Sequence, residues 1–164
     1  MKTSYLGIDT SNYTTSTALY FPDPPEIRQE KRLLPVKQGE LGLRQSDAVF
    51  HHTRQLPDLL EELLLASDGP IRSVGVSEKP CEAEGSYMPC FLAGLGTARS
   101  LAAALHVPLR RFTHQQGHVA AAAFGAGCLE LLKADFLAFH VSGGTTDALL
   151  VRPDGEQGLS LIHI

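Results

Sequence analysis

Phe136–Val151 reads FLAFHVSGGTTDALLV. The pattern predicts a strand over Phe136–Val141, a Ser-Gly-Gly-Thr-Thr turn, and a second strand over Asp147–Val151. A Gly-Gly pair between apolar runs signals a tight hairpin, because glycine enters positive φ at no steric cost. Backbone N–H groups of Gly143, Gly144 and Thr145, with the hydroxyls of Ser142, Thr145 and Thr146, can form a donor nest for an oxyanion or phosphate. The plainer alternative is an ordinary hairpin turn. The start of the chain echoes this stretch. Tyr5–Tyr20 reads YLGIDTSNYTTSTALY and, shifted by 131 residues (Leu137 minus Leu6), pairs Leu6 with Leu137, Ser11 with Ser142, Thr14 with Thr145, Thr15 with Thr146 and Leu19 with Leu150. Two hairpins with hydroxyl-rich turns, so far apart, predict a duplicated α/β unit with two phosphate-facing loops.

The 164 residues suit one domain with a sizeable core, or a fragment of something larger. Hydrophobic content of 43% and charged content of 20% are ordinary for a soluble globular chain. A net charge of −4 gives no strong nucleic-acid field, and Lys31-Arg32 and Arg110-Arg111 read as solvated surface. Cys81, Cys90 and Cys128 form no CxxC and suggest reduced thiols. With an N-terminus that lacks an apolar signal core, they predict a cytoplasmic protein. No run approaches the ~18 apolar residues of a membrane span.

Ser4–Asp9 reads as a strand and Thr14–Tyr20 as its antiparallel return. Asp9, where the strand opens into the turn, suits orienting a hydroxyl or metal-bound water, or equally an Asx-type cap. FPDPPE at Phe21–Glu26 predicts a loop, and Ile27–Leu34 a third strand. Apolar spacing over Ser46–Ala66 predicts a helix capped by Ser46 or Asp47 and kinked or split at Pro57. His51 and His52 lie in it as partly exposed residues. Ile71–Ser77 is a predicted strand, Glu78–Tyr87 a polar loop, Met88–His106 a helix with small packing residues, and Val107–Phe112 another strand. Alternating strands and helices after a meander argue for an α/β sheet with parallel pairs.

Thr113–Phe124 reads THQQGHVAAAAF. Thr113 caps a predicted helix whose His114 and His118 are spaced i, i+4, so both imidazoles share one face in a two-point grip on a transition metal. The alternative is a pair of capped or core histidines. Gln115 stands where HExxH metalloproteases have glutamate, which removes that enzyme's general base. Two histidines are also fewer than a complete site needs.

Three motifs now stand in order: LGIDTS at Leu6, HQQGH at His114 and VSGGTTD at Val141, with ARSLA at Ala98–Ala102 and Val107-Pro108 between them. The chain resembles the tRNA threonylcarbamoyladenosine synthase family, formerly described as O-sialoglycoprotein endopeptidases. The resemblance implies the duplicated actin-like, Hsp70-like, sugar-kinase ATPase (ribonuclease H-like) α/β superfold. It assigns residues 1–134 to a first unit with the HxxxH helix and 135–164 to the opening hairpin of a second, truncated unit. The end of the chain is then an artefactual gene boundary or a short closing strand.

The resemblance further implies that His114 and His118 hold one iron or zinc ion, with a carboxylate from beyond this chain as third ligand. The metal binds a carbamoyl-adenylate and polarises it, and the threonylcarbamoyl group passes to a tRNA adenosine amine. His140, Val141, Ser142, Gly143 and Gly144, with Thr145 beside them, match the substrate loop; Asp9 and Ser11 match the N-terminal phosphate-facing loop. Thr145 replaces the usual histidine of SGGHT, Asn12-Tyr13-Thr14 replaces acidic residues, and Ser77–Tyr87 replaces a glycine-proline-glycine segment. These departures describe a divergent paralogue; as an N-terminal portion it is expected to be inactive alone, with tRNA and partner subunits of the modification complex as expected partners. The alternatives are a non-catalytic subunit of the same fold, or an ATP-dependent kinase or ATPase of the superfold.

Overall fold

Strand β1 (Ser4–Asp9) turns Leu6 and Ile8 to one face and Gly7 and Asp9 to the other, and this alternation divides the molecule into a core side and a site side. A computed structural model describes residues 2–36, 42–65, 67, 69–141, 146–155 and 158–164. β2 (Thr14–Pro22) returns antiparallel to β1, and β3 (Pro25–Leu33) antiparallel to β2. After helix α1 (Gln45–Leu65) the chain enters β4 (Ile71–Lys79), parallel to β1. Helix α2 (Phe91–Leu105) then leads to β5 (Leu109–Thr113), parallel to β4. The sheet order is β3-β2-β1-β4-β5.

Helices α1 and α2 cover the core side. Leu56, Leu60 and Leu63 of α1 and Ala98 and Ala102 of α2 cluster with Leu6, Ile8, Leu19, Phe21, Val74 and Val76 of the sheet. Burying each large aliphatic side chain contributes about 1.5–3 kcal/mol over leaving it in water. Gly94 is required where α2 meets the end of β1: a Cβ there would lie 2.8 Å from Thr10 Oγ1. The same hydroxyl accepts from the Gly94 N–H and donates to the Cys90 carbonyl, which ties the start of α2 to the first turn.

Helix α3 (His114–Gly125) and a 3-10 turn (Leu129–Lys133) connect to a second antiparallel sheet of β6 (Phe136–Val141), β7 (Thr146–Asp154) and β8 (Gly158–His163). Leu149, Val151, Leu159 and Leu161 form its inner core against Val119 and Leu132. The sequence echo is also an echo of register. Leu6 pairs with Leu19 and Asp9 with Ser16, while Leu137 pairs with Leu150 and His140 with Asp147, each shifted by the same 131 residues.

Several expectations change. FPDPPE is no open loop: β2 and β3 run to a Pro22–Pro25 pair across Asp23-Pro24, which an edge strand tolerates because proline there loses no ladder bond. α1 runs unbroken through Pro57, whose side chain is exposed while Ala48, His52, Leu56, Leu59, Leu60 and Leu63 hold the buried stripe. His52 is fully buried rather than partly exposed, with Nδ1 2.8 Å from Thr15 Oγ1. The closing LSLIHI belongs to a paired strand. Among the described residues no helix is long and apolar enough to cross a membrane.

Candidate functional site

The site forms where β1 and β4 end and α3 begins, since ligands of parallel α/β sheets gather at the carboxyl ends of the strands. Thr113 caps α3 as its sequence predicts: its hydroxyl accepts from the Gln116 N–H, and the Gln116 side chain accepts from the Thr113 N–H, a complete capping box. The cap fixes where the first turn of α3 points its side chains.

His114 reaches back to β1, with Nδ1 2.9 Å from Asp9 Oδ2. A carboxylate can only accept here, so Nδ1 carries the proton and Nε2 is the ring nitrogen turned away from Asp9. Ser11 Oγ lies 3.5 Å from that Nε2. Asp9 is further held by the Ser11 N–H at 2.8 Å and by the hydroxyls of Ser11 and Ser77. Burial pushes the Asp9 carboxyl up, but the His114 hydrogen bond and charge, with the two serine hydroxyls, overcome it and hold the group far below the usual carboxylate range. Asp9 thus closes an Asx-type turn and holds two serine hydroxyls, and it also orients the His114 imidazole, a partner the sequence did not announce.

His118 stands one turn on, its ring centroid 4.2 Å from that of His114 in an edge-to-face arrangement. Burial lowers the His118 pKa, and the neighbouring His114 and His140 push it further down, so its imidazole is neutral near pH 7. His140 of β6 stacks on His118 with centroids 5.4 Å apart. Its Nδ1 lies 3.6 Å from Asp147 Oδ2, within reach of charge attraction but beyond a hydrogen bond.

Asp9, Ser11, His114, His118 and His140 are thus brought together. Val141 is not: its side chain turns to the opposite face of β6 and is 72% exposed, as strand alternation requires after an inward His140. Ser142, Gly143, Gly144 and Thr145 lie outside the described residues. Sequence reading missed Ser77, Gln115, Gln116 and Asp147. Ser77 carried one usable signal, its place at the end of a strand parallel to β1; Asp147 carried another, its match to Ser16 in the echo.

A cleft of about 890 Å³ opens beside these groups on the site side of the first sheet. Its floor includes Ala18, Gly7 and Gly75, which are neighbours in register across three strands, and Ala121 and Leu159 stand in its walls. The donor chemistry fits the first part of a metal centre: an imidazole oriented by a carboxylate, with a second imidazole one helical turn away. Among the described residues, no three His, Cys, Asp or Glu side chains converge to complete it.

No family model matches the chain. A tRNA N6-adenosine threonylcarbamoyltransferase of Lacticaseibacillus casei is 32% identical over 102 residues, covering 59% of this chain and 29% of the relative. One from Methanopyrus kandleri is 30% identical over 116 residues, covering 68% and 32%. A probable bifunctional tRNA threonylcarbamoyladenosine biosynthesis protein of Methanospirillum hungatei is 27% identical over 144 residues, covering 88% and 25%. The chain therefore spans between a quarter and a third of these relatives. Among solved structures, YeaZ from Pseudomonas aeruginosa superposes with a TM-score of 0.54 at 16% identity, over 98% of this chain and 64% of YeaZ. The ethanolamine utilization protein EutJ of Carboxydothermus hydrogenoformans gives 0.50 at 13%, over 98% and 51%. At such identities the superpositions speak for the fold alone. By the relatives it matches and the order of its sheets, the chain is a divergent relative of the tRNA N6-adenosine threonylcarbamoyltransferases, built on the actin-like, ribonuclease H-like ATPase fold.

Proposed function

We propose that this chain serves threonylcarbamoyladenosine formation in tRNA, as the part of a metal-dependent acyltransferase that presents His114 and His118 to a carbamoyl-adenylate. One observation carries the reading: Asp9 of β1 grips His114 of α3 by Nδ1 and leaves Nε2 available beside His118. A bound iron or zinc ion, with a carboxylate from outside these residues, would supply Lewis-acid polarisation of the acyl carbonyl. The chain's own contribution is orientation. Asp9 stays ionised across the physiological range and fixes the His114 tautomer, and the neutral His118 keeps a lone pair for a ligand. The hydroxyl of Ser11 stands at the same end, its single proton given to Asp9, and so helps to hold the carboxylate that orients His114. With a net charge of −4, contact with tRNA is assigned to partner subunits or to further polypeptide.

The test is a metal titration. The purified chain is titrated with Zn²⁺ and, anaerobically, with Fe²⁺, beside His114→Ala and His118→Ala. One site in the wild type, lost in both variants, is the expected result. A wild type that takes up neither ion would sink the acyltransferase reading and leave a non-catalytic subunit of the same fold. ATP hydrolysis unaffected by either substitution would instead favour an ATPase or kinase.

A further inference from the structure

We infer that the open edge of β5, with the groove that α2 forms along it, is a docking surface for an extended acidic peptide segment of a partner protein, which adds to the first sheet as a further strand. The inference goes beyond the metal reading, since neither His114 nor His118 lines this groove.

The edge supplies the first observation. β5 ends the first sheet among the described residues. The Val74 N–H donates to the Pro108 carbonyl at 3.0 Å, so the ladder turns the peptide groups of Pro108 and Arg110 toward β4. Those of Leu109 and Arg111 therefore point away from the sheet, while the Thr113 N–H is already taken by the Gln116 side chain. Outward amide groups on an edge strand are what an added strand pairs with. A groove of about 800 Å³ lies beside that edge, between α2 and the start of β5. Gly96, Ser100 and Ala103 share one face of α2 by their i, i+4, i+7 spacing, and all three are exposed. A Cβ at Gly96 would meet nothing within 4 Å. Val107 and Leu109 line the other wall. The small side chains leave room for the residues of a strand lying about 4.8 Å beyond β5.

Charge says which strand fits. Between Glu84 and Glu130 the chain carries Arg99, Arg110 and Arg111 and no Asp, Glu or Lys, although its net charge is −4. Arg99 lines the groove and Arg110 stands on the edge strand; both are exposed, and neither joins an ion pair among the described residues. Arg111 reaches Glu78 at 3.5 Å in an exposed pair. Carboxylates on an added strand would meet these guanidiniums, whose planar fork matches them in two parallel hydrogen bonds. A second copy of this chain fits less well, because two β5 edges side by side set arginines against arginines. A nucleic-acid phosphate fits less well too. It offers acceptors alone and leaves the outward carbonyls of Leu109 and Arg111 unmatched, whereas a peptide backbone brings both donor and acceptor.

The experiment selects a displayed library of short random peptides on the purified chain and synthesises those recovered. Their affinities are compared for wild type, Arg99→Glu, Arg110→Glu and Arg111→Pro, and amide exchange is followed with and without peptide. Acidic sequences are expected to be enriched, and to slow exchange at the Leu109 and Arg111 amides at least about tenfold. Each glutamate variant is expected to weaken binding by about tenfold or more while melting within about 2 °C of the wild type, because both positions are solvated. Arg111→Pro removes one outward N–H and leaves the ladder to β4 intact, and it is expected to weaken binding likewise. Recovery of no peptide, or of peptides without acidic bias, overturns the proposal. So does binding that leaves the Leu109 and Arg111 amides unprotected. Tighter binding of a single-stranded RNA at the same arginines overturns it as well, and so does a wild-type dimer that protects β5 without any peptide.

Discussion

Asp9 accepts from Ser11, Ser77 and His114 at once, so three segments of the chain meet on one carboxylate. Its replacement by asparagine keeps the shape and removes the charge that fixes the His114 tautomer. We expect Asp9→Asn to weaken Zn²⁺ affinity by about 10- to 100-fold, measured by competition with a chromophoric chelator. Unchanged affinity would show that Asp9 is only a turn residue. His52 poses the opposite problem, a buried imidazole beside neutral partners. Burial pushes its pKa down, and the Asn12 backbone and the Asp9 charge only partly offset this. The unfolded chain takes up a proton near pH ~6.5 while the folded chain resists it. Between those pKa values the unfolded state binds more protons, so stability is full above ~6.5 and falls as pH drops below it. Burial shifts His118 in the same direction. The melting temperature is expected to fall from pH 7.5 to 5.5, and to fall less in His52→Gln. Equal slopes would refute this account of His52.

At the scale of elements, Pro57 and Thr113 show how far local sequence carries. Thr113 announced α3 by itself, because a capping box needs only residues three apart; Thr113→Ala should cost about 0.5–2 kcal/mol in chemical denaturation. Pro57 announced a kink that does not break α1. Proline removes one helical bond and crowds the preceding turn, a penalty of about 3 kcal/mol in a free helix. Here the buried leucine stripe on either side outweighs it, and the bond is lost on the exposed face of the helix. Pro57→Ala should therefore stabilise the chain by about 1–3 kcal/mol, and a loss of stability would mean that the proline is itself packed. The same contrast governs the site. Asp9, His114 and His118 were singled out because they sit at a strand end or at a helical spacing, whereas Ser11 and His140 came only with the family resemblance. The burial of His52 depends on Thr15, 37 residues away, and the roles of Ser77 and Asp147 depend on partners 68 and 32 residues away. No window of sequence contains those pairs.

Across the whole molecule, the first turn of α3 is shared between the sheets. His114 binds Asp9 in the first sheet, while Gln115 reaches Asp147 and the buried Gln116 donates to the Leu159 carbonyl in the second. Gln116→Leu removes both the cap partner and the bond to β8. We expect it to cost about 1–3 kcal/mol and to speed amide exchange in β8 more than in β1. Uniform acceleration would mean that the two sheets open as one. Consecutive positions of a helix point about 100° apart. That rotation distributes the turn's side chains to opposite neighbours. The two imidazoles thus answer to different sheets: His114 to Asp9 of the first, His118 to the stack of His140 from the second. Undocking the second sheet would leave His114 on Asp9 and strip His118 of its stack on His140.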